Sequence, residues 1–296
     1  MKEIVLITGS NGGLATDVKK LLSKSYQIRS LTTKKQDVNG RTIFYWDINK
    51  KYIDIDALKG CNHIIHLSGY SILKPWTKKN KKLMYESRIG GAILLFNRCE
   101  ELNIRPSTFI SASASGIYGL REYGFKNEKD AVGIDWVANM VYDWEDAANK
   151  FQQLGSRVVQ MRLSLILSKT YGPLRYNLLA MKYGIGVILG DNKNPVNWIY
   201  ISDVSNFILE AIKNDNYQGA YNLANGKIIS QNSLVKTIKR KICPYALIIK
   251  IPIFIIKLFI GEKSLILNNK ISLSVEKLNK TGFICKYNTI EDILDN

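Results

Sequence analysis

The sequence predicts an α/β protein: a doubly wound parallel sheet with a smaller, mainly helical C-terminal lobe. Three observations carry this. Short β-rich apolar runs alternate with segments of helical periodicity from the first residues onward, as βαβ units do. Fully apolar strand-like runs, such as Ile4 to Ile7, fit a sheet covered on both faces. A glycine-rich turn separates the first run from the first helical segment.

In order, Ile4 to Ile7 is the first strand, and Leu14 to Leu22 a helix with Leu14, Val18, Leu21 and Leu22 on one face. Strands follow at Tyr26 to Leu31, Thr42 to Trp46 and His63 to Leu67. Leu83 to Leu102 reads as a helix, Thr108 to Ala112 as a strand, Trp136 to Gln153 as a helix and Arg157 to Leu167 as a strand. The pattern then loosens into an irregular, Gly- and Asn-containing insertion near 169–197. Trp198 to Ile201 is a further strand, Asp203 to Lys213 a helix and Ala220 to Leu223 a short strand. From about Ser230 the chain reads as mainly helical, including an apolar helix over Ile248 to Ile260. The expected organisation is a nucleotide-binding domain over 1–228 and a small C-terminal domain over 229–296.

Composition narrows the classes. The chain has 296 residues, 46% hydrophobic and 23% charged, which suits a folded globular protein and excludes a disordered or fibrous one. Its four cysteines form no CxxC pair, which argues against a zinc ribbon and a disulfide scaffold; a reducing, cytoplasmic setting is expected. Only two histidines are present, so no metal site is expected, and His66, on an apolar strand, is expected to be a hydrogen-bonded core residue rather than a base. The apolar run at the start is shorter than a signal-peptide core of roughly 7–15 residues. Lys250, Pro252 and Lys257 interrupt the most apolar stretch, which falls short of the roughly 20 residues a membrane span needs. The net charge of +17 is the abnormal figure. Its lysines are scattered, with no helix-turn-helix, RNP or zinc motif, so no specific nucleic-acid partner is expected.

The turn Thr8-Gly9-Ser10-Asn11-Gly12-Gly13-Leu14-Ala15 has the spacing of a dinucleotide pyrophosphate site. One glycine makes the tight turn, a second lets the backbone approach phosphate, and the free N–H groups of the helix start face the charge. Where NAD sites place a carboxylate after the second strand, this chain reads Leu31-Thr32-Thr33-Lys34-Lys35. Hydroxyls and ammonium groups suit a 2′-phosphate, so NADP is expected in preference to NAD.

TGSNGGLA at the N-terminus, HLSG ending at Gly69, SASASGIYG at 111–119 and RLSLILS at 162–168 resemble the extended, epimerase/dehydratase-type short-chain dehydrogenase/reductases, a Rossmann-fold superfamily. Lys74-Pro75-Trp76, Glu86-Ser87-Arg88, Trp144-Glu145-Asp146, Trp198-Ile199-Tyr200-Ile201-Ser202-Asp203, and the C-terminal IPIFIIKLFIGE and KLNKTGF resemble its "epimerase family protein" branch. The resemblance implies that Gly9, Ser10, Asn11, Gly12, Gly13 and Leu14 cradle the pyrophosphate. It places Thr33 and Lys34 near the adenosine ribose, and Asp47 and Ile48 at the adenine. Leu67, Ser68 and Gly69 would run under the second ribose. Ser111, Ala112 and Ser113, with Arg162, Leu163 and Ser164, would line the nicotinamide end.

The superfamily's chemistry uses a Tyr and a Lys one helical turn apart. Anchored on Glu145, the corresponding positions are Val137 and Val141, and neither can carry a proton. Ser113, Ser115, Tyr118, Tyr142, Asp143 and Glu145 are the protic alternatives, of which Ser113 and Tyr118 are the expected catalytic pair. Two readings stay open: an NADP-dependent oxidoreductase or epimerase acting on a small hydroxyl or carbonyl substrate, and a non-catalytic NADP-binding sensor or partner-binding module. Oligomeric state is not legible.

Overall fold

In the computed structural model, residues 2–191 and 193–295 are described, apart from the side chain of Asn268. Residues 1 and 296, the outer limits of the two expected domains, and residue 192, inside the expected insertion, lie outside that description.

Val5, Leu6 and Ile7 bury fully because strand β1 (Ile4–Ile7) runs through the middle of an eight-stranded sheet. The next strands are β2 (Gln27–Thr32), β3 (Ile43–Asp47), the short β4 (Tyr52–Ile53), β5 (Cys61–His66) and β6 (Thr108–Ala114). Arg157–Leu163 and Gly219–Leu223 complete the sheet, whose order is Gly219–Leu223, Arg157–Leu163, β6, β5, β1, β2, β3, β4. β1 pairs parallel with β2 and with β5, β2 with β3, and β5 with β6; β4 turns back antiparallel on β3. The mostly parallel sheet is the predicted Rossmann arrangement. Its order reverses at β1 and β5, where such sheets open a crevice beyond the carboxyl ends of their strands.

By contacts the chain forms two units. The first comprises residues 1–114, 140–162 and 204–221, and holds most of the sheet. The second comprises residues 115–139, 163–203 and 222–296. Its core gathers Leu167, Leu174, Met181, Ile188, Trp198 and Ile238, with Ile290 and Ile293 from the last helix.

Several elements differ from the sequence reading. The stretch expected as an irregular insertion contains the helix Gly172–Lys182 and the strand Ile185–Leu189. The apolar helix expected over Ile248 to Ile260 is split: Leu247–Ile251 is a strand paired with Ile185–Leu189, and the helix is Ile253–Ile260. Pro252 lacks an N–H and cannot sit inside a helix, but it suits a helix start. The strand expected from Arg157 to Leu167 breaks at Ser164, whose backbone N–H and hydroxyl both donate to the Leu223 carbonyl.

Candidate functional site

The crevice begins at the turn after β1. Gly9 has φ +69°, and a Cβ there would lie 2.8 Å from the Leu67 carbonyl oxygen. Only glycine meets both conditions. The Gly12 N–H donates to the Gly9 carbonyl at 2.8 Å and closes the turn. Helix α1 (Gly13–Leu22) starts with Gly12 as its cap, with no side-chain cap and no acidic residue in its first turn. Its leading N–H groups therefore present partial positive charge to the crevice.

Thr8 holds the opposite wall. Its hydroxyl oxygen accepts the N–H groups of Leu67 and Ser68, both at 3.0 Å, and the hydroxyl meets His66 Nδ1 at 3.0 Å. His66 Nε2 lies 3.0 Å from the Arg88 carbonyl, which can only accept. Nε2 therefore carries the proton and Nδ1 accepts from Thr8, so the ring is neutral. Burial lowers the His66 pKa to about 4, which agrees. His66 is thus the hydrogen-bonded core histidine expected from its apolar strand.

These walls enclose a cleft of about 380 Å³ lined by Gly9, Ser10, Asn11, Gly12, Thr33, Ile48, Leu67, Ser68 and Gly69 among the predicted residues. Such a volume is within the range of small-molecule and cofactor sites. Sequence reasoning missed Leu31, Thr32, Trp46, Tyr70 and Ser87, which also line it. For Leu31, Thr32, Trp46 and Tyr70 the signal was positional, since each lies next to or near a predicted residue at a strand end or in the following loop; Ser87 lies in the helical turn Glu86–Gly90, and its signal was the Glu86-Ser87-Arg88 motif. An adjoining cleft of about 280 Å³ takes in Asp47 with Thr33, Trp46 and Ile48. The Asp47 carboxylate accepts from the Tyr45 hydroxyl and from the N–H groups of Asn49 and Lys50. Burial opposes its charge, but these donors hold the carboxyl below its usual range. Gly13 and Leu14 form the start of α1. Lys34 is exposed just beyond β2, and its N–H donates to the Thr32 hydroxyl. Asp37, the first acid after β2, accepts from the Asn11 amide at 3.1 Å.

The residues expected at the nicotinamide end are placed as follows. The Ser111 hydroxyl donates to the Ala112 carbonyl, and Ser111 and Ala112 are buried. Ser113 is 2% exposed and its hydroxyl donates to Glu145 Oε1 at 2.6 Å. Arg162 grips the same carboxylate with Nε and Nη2, both at 2.9 Å, a bidentate pair inside the first unit. In the second unit, Leu163 is half-buried and the Ser164 hydroxyl donates to Leu223. Tyr118, also there, is 1% exposed and donates to Asn222 Oδ1 at 2.7 Å. The Asn222 amide donates in turn to the carbonyls of Lys126 and Ser274. Val137 and Val141 are buried on the helix Trp136–Asn149. The first cleft does not include Ser111, Ala112, Ser113, Tyr118, Arg162, Leu163 or Ser164 among its lining residues. Among the described residues, no cluster of His, Cys, Asp or Glu could hold a metal ion, and no helix is long and apolar enough to cross a membrane.

Comparison with known proteins places this geometry in a family. The family model for the NAD dependent epimerase/dehydratase family matches residues 5–224. An epimerase family protein of Staphylococcus haemolyticus is 30% identical, with 98% of each chain covered. One of Staphylococcus aureus is 29% identical over 98% of this chain and 97% of that protein. Among solved structures, the human epimerase family protein SDR39U1, solved with NADPH, superposes with a TM-score of 0.83 at 19% identity, covering 98% of this chain and 97% of that one. UDP-N-acetylglucosamine 4-epimerase from Bacillus cereus gives 0.77 at 15% identity, covering 99% and 98%. The sheet order, the Gly9 turn and the matched span agree: this chain belongs to the NAD-dependent epimerase/dehydratase family, within the extended short-chain dehydrogenase/reductases.

Proposed function

We propose that the chain binds NADP(H) in the cleft between the Gly9 turn and the Leu67–Gly69 loop, and acts as an oxidoreductase or epimerase on a small hydroxyl or carbonyl substrate. The observation that carries this is the Gly9 turn, where a side chain would collide with the Leu67 carbonyl and the uncapped start of α1 meets the cleft. Gly9, Ser10, Asn11, Gly12, Gly13 and Leu14 hold the pyrophosphate through backbone N–H groups. Leu67, Ser68 and Gly69 carry the second ribose, and Asp47 and Ile48 face the adenine. Thr33 and Lys34 take the 2′-phosphate. The acid-free end of β2 supports NADP over NAD, as does the NADPH in the human relative's crystal structure. The division into a nucleotide-binding domain to about residue 228 and a small domain beyond it belongs to the same proposal. The family match ending at residue 224 supports it.

Bound dinucleotide supplies the hydride acceptor or donor. In this reading Ser111 and Ala112, with Arg162, Leu163 and Ser164, line the nicotinamide end, and the proton is handled by Ser113. Its oxygen takes the proton of a substrate hydroxyl as its own passes to Glu145 Oε1, 2.6 Å away. Arg162 holds the Glu145 carboxyl in place, offsetting its charge before the proton arrives. Tyr118 is the second hydroxyl assigned to the substrate side.

One observation favours the other reading, a binding module without turnover: both hydroxyls are buried and committed to internal acceptors, and valines occupy the Tyr and Lys positions. Thermal-shift titration separates the outcomes. NADPH is expected to stabilise the protein more than NADH does, and Gly9→Ala to abolish the shift. With NADPH bound, turnover over a carbonyl panel that is lost in Ser113→Ala supports the enzyme. Stabilisation without turnover supports the binding module. No shift with either nucleotide overturns both readings.

A further inference from the structure

A helix that is apolar all round is ordinarily buried, in a protein core or in lipid. The helix Ile253–Ile260 of the second unit, IFIIKLFI, is apolar apart from Lys257, yet only Ile256 of it is buried. Phe254, Leu258 and Phe259 are 71%, 83% and 80% exposed. Phe254, Lys257 and Leu258 stand at i, i+3 and i+4 and so share one face, opposite Ile256.

The small sheet that leads into the helix repeats the pattern. Ile185–Leu189 and Leu247–Ile251 pair in parallel, with Ile185 opposite Leu247 and Val187 opposite Ile249. Side chains alternate between the two faces of such a sheet. The face of Gly186 and Ile188 packs inward: Ile188 is fully buried, and a Cβ at Gly186 would meet Met181 and Val235 at 3.0 and 3.1 Å. On the other face Ile185, Leu247 and Ile249 are exposed. Pro252 alone joins this sheet to the helix. Single apolar residues on a surface are ordinary, whereas such a concentration of them marks a surface that meets a partner.

Charge decides which partner. From Ile242 to Gly261 the charged residues are Lys250 and Lys257, and from Gly172 to Gly190 they are Arg175 and Lys182. Neither stretch contains a carboxylate; the next one, Glu262, lies beyond the helix. Lys182, Lys250 and Lys257 are exposed, and none meets a carboxylate among the described residues. Arg240 and Lys241, just before this region, are by contrast paired with Glu291 and Asp295. A second copy of the surface would bring like charges together, which opposes association. A bilayer with anionic headgroups accepts both features: apolar side chains enter the acyl boundary, and lysines meet the headgroup phosphates.

We propose that the helix Ile253–Ile260 and the exposed face of the sheet before it dock the protein on an anionic lipid bilayer. Phe254, Leu258 and Phe259 insert, and Lys257 extends to the headgroups. The helix lies in the interface and does not cross the membrane.

Full-length protein is floated with vesicles of phosphatidylcholine alone, or of phosphatidylcholine mixed with phosphatidylglycerol, at about 0.1 M salt. Wild type binds the mixed vesicles about tenfold or more tighter than the neutral ones. Leu258→Ser combined with Phe259→Ser weakens binding to mixed vesicles by about tenfold or more, because two large apolar side chains no longer leave water. Lys257→Gln weakens it about fivefold on mixed vesicles and leaves binding to neutral ones unchanged. These side chains are exposed, so the variants keep the melting behaviour of wild type. Wild type bound no better by mixed than by neutral vesicles leaves the surface to a protein partner and overturns the proposal. Equal binding by wild type and the double-serine variant also overturns it, since general positive charge then acts alone. Sedimentation without lipid tests the remaining occupant. A wild-type dimer that the double-serine variant dissociates assigns the surface to a second copy and overturns the proposal as well. No nucleotide enters these measurements, so their outcome is independent of the cofactor reading.

Discussion

At the scale of one residue, His66 ties the cleft wall together. The Thr8 hydroxyl accepts two backbone N–H groups of the loop and donates a hydrogen bond to His66 Nδ1, and His66 Nε2 donates in turn to the carbonyl of Arg88. This chain works only with a neutral imidazole, because a protonated ring would turn Nδ1 into a donor facing the Thr8 hydroxyl. Burial holds the folded pKa at about 4, against 6.5 for a free histidine. Below 6.5 the unfolded chain takes up a proton that the folded one refuses, so stability falls as pH drops from about 6.5 to about 4. The gap corresponds to about 3 kcal/mol at its full extent. Denaturant titrations at stepped pH should show this loss in wild type, and a shallower one in His66→Gln, which keeps a donor and an acceptor but cannot titrate. Equal slopes in the two proteins would refute the account. His66 was readable as core from its apolar strand. The protons of Ser113 and Tyr118 were not, because their acceptors, Glu145 and Asn222, lie 32 and 104 residues away.

Elements show where sequence patterns suffice and where they thin out. Strand β1 was the plainest to read because it is apolar throughout, and β5 and β6 were legible from their apolar centres, Ile64-Ile65 and Phe109-Ile110. The helix Gly172–Lys182 was not, since only Leu174 and Met181 of it are buried and its Gly172-Pro173 start resembles a turn. The helix expected from Leu83 begins earlier, at Lys78, because the Thr77 hydroxyl caps it through the Asn80 N–H; its lysines hid that start. A motif noted for its resemblance, Trp198 to Asp203, finds its reason in long-range bonds. Trp198 is buried with its indole N–H on the Lys227 carbonyl. Asp203, also buried, accepts the N–H groups of Lys286 and Tyr287, which fastens the last segment of the second unit. Burial pushes its pKa up despite those two donors. Asp203→Ala leaves both N–H groups without their acceptor and should cost about 2–4 kcal/mol. Asp203→Asn, which keeps one acceptor and carries no charge, should cost less than half as much. NADPH affinity should stay at the wild-type value in both. Equal stability of all three proteins in urea would show that the contact holds nothing.

Across the whole molecule, the charge of +17 calls for a reading of its own. The cleft uses little of it: the cradle at Gly9 is backbone, and Lys34 is the one lysine assigned to the nucleotide. Several surface lysines sit in short-range pairs, such as Lys59 with Asp56 and Lys280 with Glu276, each exposed on both sides and worth little. Forty-two basic residues face only 25 acidic ones, so most of the excess has no such partner and repels itself across the surface. That repulsion is relieved when the chain expands, so it works against the folded state. It is also long-range and therefore sensitive to screening: the Debye length falls from about 30 Å at about 0.01 M salt to about 10 Å at 0.1 M. Short ion pairs lose less over the same range than the summed repulsion does, so the net effect has a definite sign. The melting temperature should rise with sodium chloride between those two concentrations, by about 2–4 °C if the relief is near 1 kcal/mol. Sodium fluoride should give the same rise, since screening does not depend on which monovalent anion supplies it. A chain whose surface charge stabilised it through ion pairs would melt lower as salt is added, and a flat or falling melting temperature would exclude self-repulsion as the dominant consequence of the basic surface.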